Sequence, residues 1–192
     1  MNRPFEYVVG PDDRIYIACR SNYYSPGGGL ARFDPVGEEI RVFVDPDQSV
    51  QSVAADARFV YGGTSISGGR GCVETTTEGK LFLFDVQTER RVFECVPVAE
   101  AVAVTSLAVS STSGLLYGSV SSGWLFAFDV EERQVVQRWQ WPEGRREGEM
   151  RHGFNTERDG WVAVRLWGDS RDSFDQAIYA HSSPVYFRCG RP

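Results

Sequence analysis

Few residues in this chain have the means to do chemistry, and their spacing argues against most of it. The histidines His152 and His181 belong to unrelated local patterns. A catalytic metal normally needs about three protein ligands with an open position, and no Asp/Glu/His cluster at ligand spacing completes such a set. Ser182 and Ser183 adjoin His181, but a serine nucleophile needs a base held against it and a GxSxG elbow to present its hydroxyl. Here the two serines precede a proline in a turn. The cysteines Cys19, Cys72, Cys95 and Cys189 form neither a CxxC pair nor a Cys/His spacing that closes a tetrahedral zinc site, so they read as buried free thiols. SGGRG at 67–71 has the glycines of a phosphate loop without its Lys-Ser/Thr ending or a following helix. No catalytic residue, metal ligand or cofactor is assigned, and the chain alone reads as leaning away from an enzyme.

Binding is the chemistry left. Two polar, glycine-rich stretches, RSNYYSPGG at 20–28 and TSISGGRGCVETTTEG at 64–79, are long beside SVSSG at 119–123. Tyr23 and Tyr24 offer stacking faces, Arg70 a fork for a carboxylate and Glu74 an acceptor. That mixture suits a glycan or a small-molecule ligand, with ordinary loop packing as the plainer reading.

What must position these loops is legible in a repeat. LARFD, LFLFD and LFAFD end at Asp34, Asp85 and Asp129, each an alternating strand with an aromatic before the carboxylate. Upstream of each lies a strand with a tyrosine, IYIAC at 15–19, FVYGG at 59–63 and LLYGS at 115–119. A further apolar strand and turn precede those, YVVGPDD at 7–13, SVAADA at 52–57 and SLAVSSTSG at 106–114. After each Asp, a polar turn leads into IRVFV at 40–44, RVFECV at 91–96 or QVVQRW at 134–139.

Four short antiparallel strands recurring every ~40–50 residues describe a β-propeller blade. One small twisted sheet cannot cover both of its faces, so blades stack around an axis and each hides its neighbour's apolar side. The expectation is an all-β protein of three four-stranded blades, about 5–44, 51–96 and 105–140, forming an incomplete propeller over 1–141. The three Asp residues should accept hydrogen bonds from backbone N–H groups of the following turn. Gly62, Gly63 and Gly118 fit where strands crowd toward the axis. The two long loops and the short SVSSG connection should all open on one rim, where recognition commonly resides. Because closed propellers have typically four to eight blades, the flanks need other propeller blades, another copy of the chain, or the tail; a piece of a larger propeller is the favoured reading.

These phrases resemble quinoprotein-like and YVTN-type propellers, in which an LFAFD-like strand and a charged turn recur in every blade. The resemblance covers about 5–141 and implies the fold with almost nothing about function. The GH and WD signatures of WD40 repeats are absent, and no residues match a quinone site.

After Trp141 the texture changes. PEGRREGEMRHGFNTERDG at 142–160 is charged and glycine-punctuated, a linker or surface crossing. WVAVRLWG at 161–168 alternates like a strand, and AIYAHSSPVYFRC at 177–189 reads as two short strands broken at Ser-Ser-Pro, giving a short β-sandwich-like segment over 161–192. DGWVAVRLWG followed by AHSSPVYF resembles the C-terminal β-sandwich of CehA/McbA-type PHP-like metallohydrolases, over about 150–192. That resemblance implies a noncatalytic portion of a hydrolase whose catalytic domain is absent from this chain, with His181 structural rather than metal-binding.

Composition limits the rest. Hydrophobic residues at 42% and charged residues at 24% suit a chain that folds around a core. A net charge of −6 leaves no overall positive field for nucleic acid. No run of eighteen apolar residues suggests a membrane span, and MNRPFEYVVG lacks the zones of a secretory signal. Two functions of different class follow: a noncatalytic binding or scaffold propeller, accessory to a carbohydrate-active or extracytoplasmic protein, and the hydrolase portion just described.

Overall fold

LFLFD at 81–85 is apolar at every position before its aspartate, so a strand made from it must bury both faces. A computed structural model shows how. It describes residues 3–140 with their side chains and, beyond them, the backbone of 160–162, 165–171, 177–181 and 185–187.

The first sheet contains β1 (Arg3–Val9), β2 (Ile15–Arg20), β3 (Gly28–Asp34) and β4 (Glu39–Asp45). The second contains β5 (Ser49–Ala55), β6 (Phe59–Ser65), β7 (Leu81–Asp85) and β8 (Arg90–Cys95). The third contains β9 (Val104–Val109), β10 (Leu115–Val120), β11 (Trp124–Asp129) and β12 (Gln134–Gln140). Each sheet is an antiparallel meander in sequence order. We call them blades 1, 2 and 3. β5 lies against both β1 and β9, which makes these the neighbouring inner strands of a three-blade portion of a propeller.

Period-two alternation distributes the core between two blade interfaces. From blade 2, Val60, Phe82 and Phe84 join Tyr16 and Leu30 of blade 1. The intervening Phe59, Tyr61, Leu81 and Leu83 join Phe126 and Phe128 of blade 3. Each fully buried Leu or Phe contributes about 1.5–3 kcal/mol from area removed from water, so the central sheet is stabilised from both sides.

The C-terminal turn of each blade explains the repeated aspartate. Asp34 Oδ1 accepts from the N–H groups of Val36 at 2.9 Å and Gly37 at 3.1 Å. Asp85 Oδ1 does the same for Gln87 and Thr88, and Asp129 Oδ1 for Glu131 and Glu132. The backbone donors of Gly37 and Val36, then Arg14, hold the Asp34 carboxyl below the ordinary carboxylate range; those of Gln87 and Thr88 do so for Asp85.

The glycines differ from expectation in detail. Gly62 and Gly118 are empty of side chain because the rings of Phe82 and Phe126, directly opposite in the next strand, lie across them. Gly63 does meet the inner strand of the next blade, since a Cβ there would come 2.7 Å from Val104. Among the thiols, Cys19 is buried, while Cys72 and Cys95 are half-buried rather than enclosed. The reason is position: Cys72 sits in the long β6–β7 connection and Cys95 at the end of an outer strand. Burial pushes the Cys95 thiol up to about 11.

The chain divides into two compact units, Met1–Met150 and Arg151–Pro192. In the second, β13 (Gly160–Val162) pairs with β16 (Val185–Phe187), and β14 (Arg165–Arg171) with β15 (Ala177–His181), as two separate two-stranded sheets. WVAVRLWG is therefore divided between two strands rather than forming one, because alternation shows which face a residue takes and not which partner its strand pairs with. Of the linker expected at 142–160, Gly160 begins β13; residues 142–159, with His152, and Ser182, Ser183 and Cys189 lie outside the described residues.

Candidate binding cleft and rim

Two of the three second-to-third-strand connections meet directly, and the third lines the same cleft. In the connection after β2, the N–H of Tyr24 donates to the carbonyl of Arg70, and the N–H of Gly69 to that of Ser25. Ser21 N–H reaches Ser49 Oγ at 2.9 Å. From the third connection, Ser121 N–H donates to the Ala103 carbonyl and its Oγ accepts from Ala103 N–H. A cleft of about 520 Å³ opens among them, lined by residues of all three connections and by the inner strands.

The cleft follows from a repeated irregularity. The β1–β2 ladder slips between Pro4 and Glu6, the β5–β6 ladder between Val50 and Ser52, and the β9–β10 ladder between Ser119 and Val120. A bulge leaves one residue out of the pairing and re-aims it. The residues so released, Phe5, Gln51 and Thr105, all line the cleft. In blade 1 the same slip sets Arg3 directly opposite Arg20.

Charge in this cleft is one-sided. Its lining includes Arg3, Arg20 and Arg70 and no carboxylate. The guanidinium of Arg20 lies 3.8 Å from the centroid of the Phe5 ring, and that of Arg3 lies 4.8 Å from the Tyr23 ring, within cation–π range. Burial, followed by repulsion from Arg3, lowers the Arg20 pKa, though a guanidinium stays charged at any ordinary pH.

A second cleft, of about 350 Å³, lies between blades 1 and 2. Apart from Asp47, its charges are paired: Arg91 meets Asp45 and Lys80 meets Glu94, each at 2.7 Å, and Glu89 is paired with Arg32 and Arg41.

Of the residues expected to bind, Arg70 is on the first cleft. Tyr23 is exposed, with its ring under Arg3. Tyr24 adopts a positive φ of 60° and is 82% exposed; a Cβ on Gly71 would come 2.6 Å from its ring. Glu74 is exposed and lines neither cleft. Arg3 and Arg20 carry no sequence signal of their own, since only the bulge brings them face to face. Among the described residues no group of three or more His, Cys, Asp or Glu side chains is placed to hold a metal ion.

Buried tyrosines brace the opposite hairpin turns. Tyr16 O–H donates to Asp12 Oδ2 at 3.1 Å, and Tyr61 O–H donates to Asp56. Burial first, then the carboxylate, raises both phenol pKa values.

No protein-family model matches the chain, and no curated protein matches it. Among solved structures it is similar to the WD40 repeats of RRP9, with a TM-score of 0.55 and 15% identity over 74% of this chain and 40% of that one. A structure of U3-55K gives a TM-score of 0.54 at 15% identity, covering 74% of this chain and 41% of that one. Glutaminyl cyclase of Myxococcus xanthus gives 0.51 at 15% identity, covering 72% and 51%. The chain thus spans about 40% of the length of the first two structures. At these identities the likeness is one of fold, and unrelated functions share folds.

Proposed function

We propose that the first unit is a noncatalytic propeller module for binding and scaffolding, whose flanks dock blade-like sheets. The observation that carries this is a repetition of faces. Tyr7, Val9, Ile15 and Ile17 of blade 1 hold the ladder positions that Val53, Ala55, Val60 and Gly62 hold in blade 2. In blade 2 that face is covered by blade 1, and Val53 is 4% exposed. In blade 1 it is open: Tyr7 is 75% exposed, Val9 58% and Val44 71%. A contiguous apolar face of this kind marks an interaction surface, and a sheet of the same blade type is its natural complement.

The fold likeness to WD40 repeats fits a binding use, while the likeness to a cyclase fits a catalytic one, so neither decides. A glycan ligand, and a carbohydrate-active or extracytoplasmic setting, rest on the polar mixture at Tyr23, Tyr24, Arg70 and Glu74 alone. We assign 1–141 to the module and 161–192 to a separate β unit, which the division of the chain into two units supports. The metallohydrolase resemblance belongs to that second unit; its support is that β15 and β16 fall on the two halves of AHSSPVYF.

Light scattering of the full chain across a concentration series tests the flank. Self-association that Val9→Asp with Val44→Asp abolishes is expected, a discrete dimer identifying a second copy as the occupant. A monomer at every concentration, indistinguishable from the double variant in dye-detected apolar surface, would overturn the reading.

A further inference from the structure

We propose that Arg3, Arg20 and Arg70 bind a phosphate group, free or as the monoester of a small molecule, in the cleft at the inner-strand ends. The arginines are not demanded by the repeat. Arg20 stands at the ladder position of Ser65, and Arg3 at that of Ser49, so the blades are built equally well with small neutral residues there. Like charges directly opposite on paired strands are destabilising. Two guanidinium groups so placed are relieved by an anion between them.

Among the described residues nothing supplies that anion. Arg14, Arg32, Arg41, Arg58, Lys80 and Arg91 each meet a carboxylate. Arg3, Arg20 and Arg70 meet none among the described residues. Stacking of Arg20 on Phe5 and of Arg3 on Tyr23 fixes the guanidinium planes and leaves their edge N–H groups for a ligand. In a chain of net charge −6, an all-cationic cleft is a local reversal of field that draws in anions.

The remaining donors favour phosphate over a single carboxylate. Ser65 Oγ accepts from Ser67 N–H and Ser121 Oγ from Ala103 N–H. Both hydroxyls are used internally as acceptors of a backbone N–H, so their protons are available to the cleft that they line. Three cationic forks and two hydroxyls exceed what two carboxylate oxygens accept, whereas a phosphate monoester offers three terminal oxygens that share its charge and suit bidentate arginine. The volume of about 520 Å³ is that of a small-molecule site.

This assignment rests on the binding-module reading, yet the two fail separately, because flank association and cleft occupancy have different readouts. The full chain is titrated calorimetrically with inorganic phosphate, phenyl phosphate and succinate at one low ionic strength set with chloride. Saturable binding of a phosphate at least tenfold tighter than succinate is expected, with Arg20→Gln and Arg70→Gln each weakening it at least tenfold and Arg90→Gln leaving it unchanged. Tighter binding of phenyl phosphate would identify an ester as the ligand, and tighter binding of the inorganic ion free phosphate. Succinate binding as well as either phosphate would overturn the proposal, as would undiminished binding by Arg70→Gln, which lies in an exposed loop and leaves every strand intact.

Discussion

Gly62 and Phe82 are best understood as one unit. The ring uses the volume that a side chain at 62 would need, and Gly118 with Phe126 repeats the arrangement. Blade 1 solves the same problem in reverse, with Ile17 opposite Ala31. Gly62→Ala forces the ring off its site and should cost about 1–3 kcal/mol. Phe82→Leu leaves a partial void and should cost a similar amount. Together they should cost at least 1 kcal/mol less than the sum, roughly the coupling seen for residues in direct contact. Urea denaturation of the four proteins measures this, and strict additivity would refute the pairing. The glycines were visible in FVYGG and LLYGS, but not their cause, because a cross-strand neighbour depends on register. Arg70 was legible as a free fork in a long loop; Arg3 and Arg20 were not. With the ladder in step from Val9 and Ile15 onward, Arg20 would face Pro4, and only the slip between Pro4 and Glu6 brings Arg3 opposite it.

At the scale of the element, the twelve blade strands were readable because alternation and Asp-ended turns are local signals, and the strands fall on the phrases that carried them. Bulges and the division of WVAVRLWG depend on pairing partners, which local signals do not encode. The C-terminal turns hold a further regularity. Four residues after each aspartate, Glu38, Glu89 and Arg133 adopt positive φ values of 54°, 54° and 53°. A side chain in this left-handed region costs about 1–2 kcal/mol, offset in part by the smaller unfolded-state entropy of a non-glycine residue. Glu38 is exposed, so Glu38→Gly should stabilise by about 0.5–1 kcal/mol. Glu89 holds Arg32 and Arg41 of blade 1 through its carboxylate, so Glu89→Gly should show no such gain. Thermal denaturation separates the two outcomes; equal stabilisation by both would mean that the ion pairs across the blades contribute nothing.

At the scale of the whole molecule, each blade's stability is set by how many neighbours it has. In a repeat array, stability is approximately the sum of each unit's own term and its nearest-neighbour interfaces. Blade 2 has an interface on each side, whereas blade 1 faces solvent across Tyr7, Val9, Ile40 and Val44. Every residue of β6 is buried, while β4 is exposed along most of its length. Opening of blade 1 therefore breaks one interface, and exposing the amides of β6 and β7 requires breaking two. Native-state hydrogen exchange should place β6 and β7 in the slowest class, with β4 and β12 fastest because they are also outer strands with an unpaired edge. Covering the open face of blade 1 should slow β2 and β3 selectively, since they supply Ile15, Ile17 and Phe33 to it, and should leave β6 and β7 unchanged. Uniform protection across the three sheets would show instead that they unfold as one cooperative body, with stability not divided by interface.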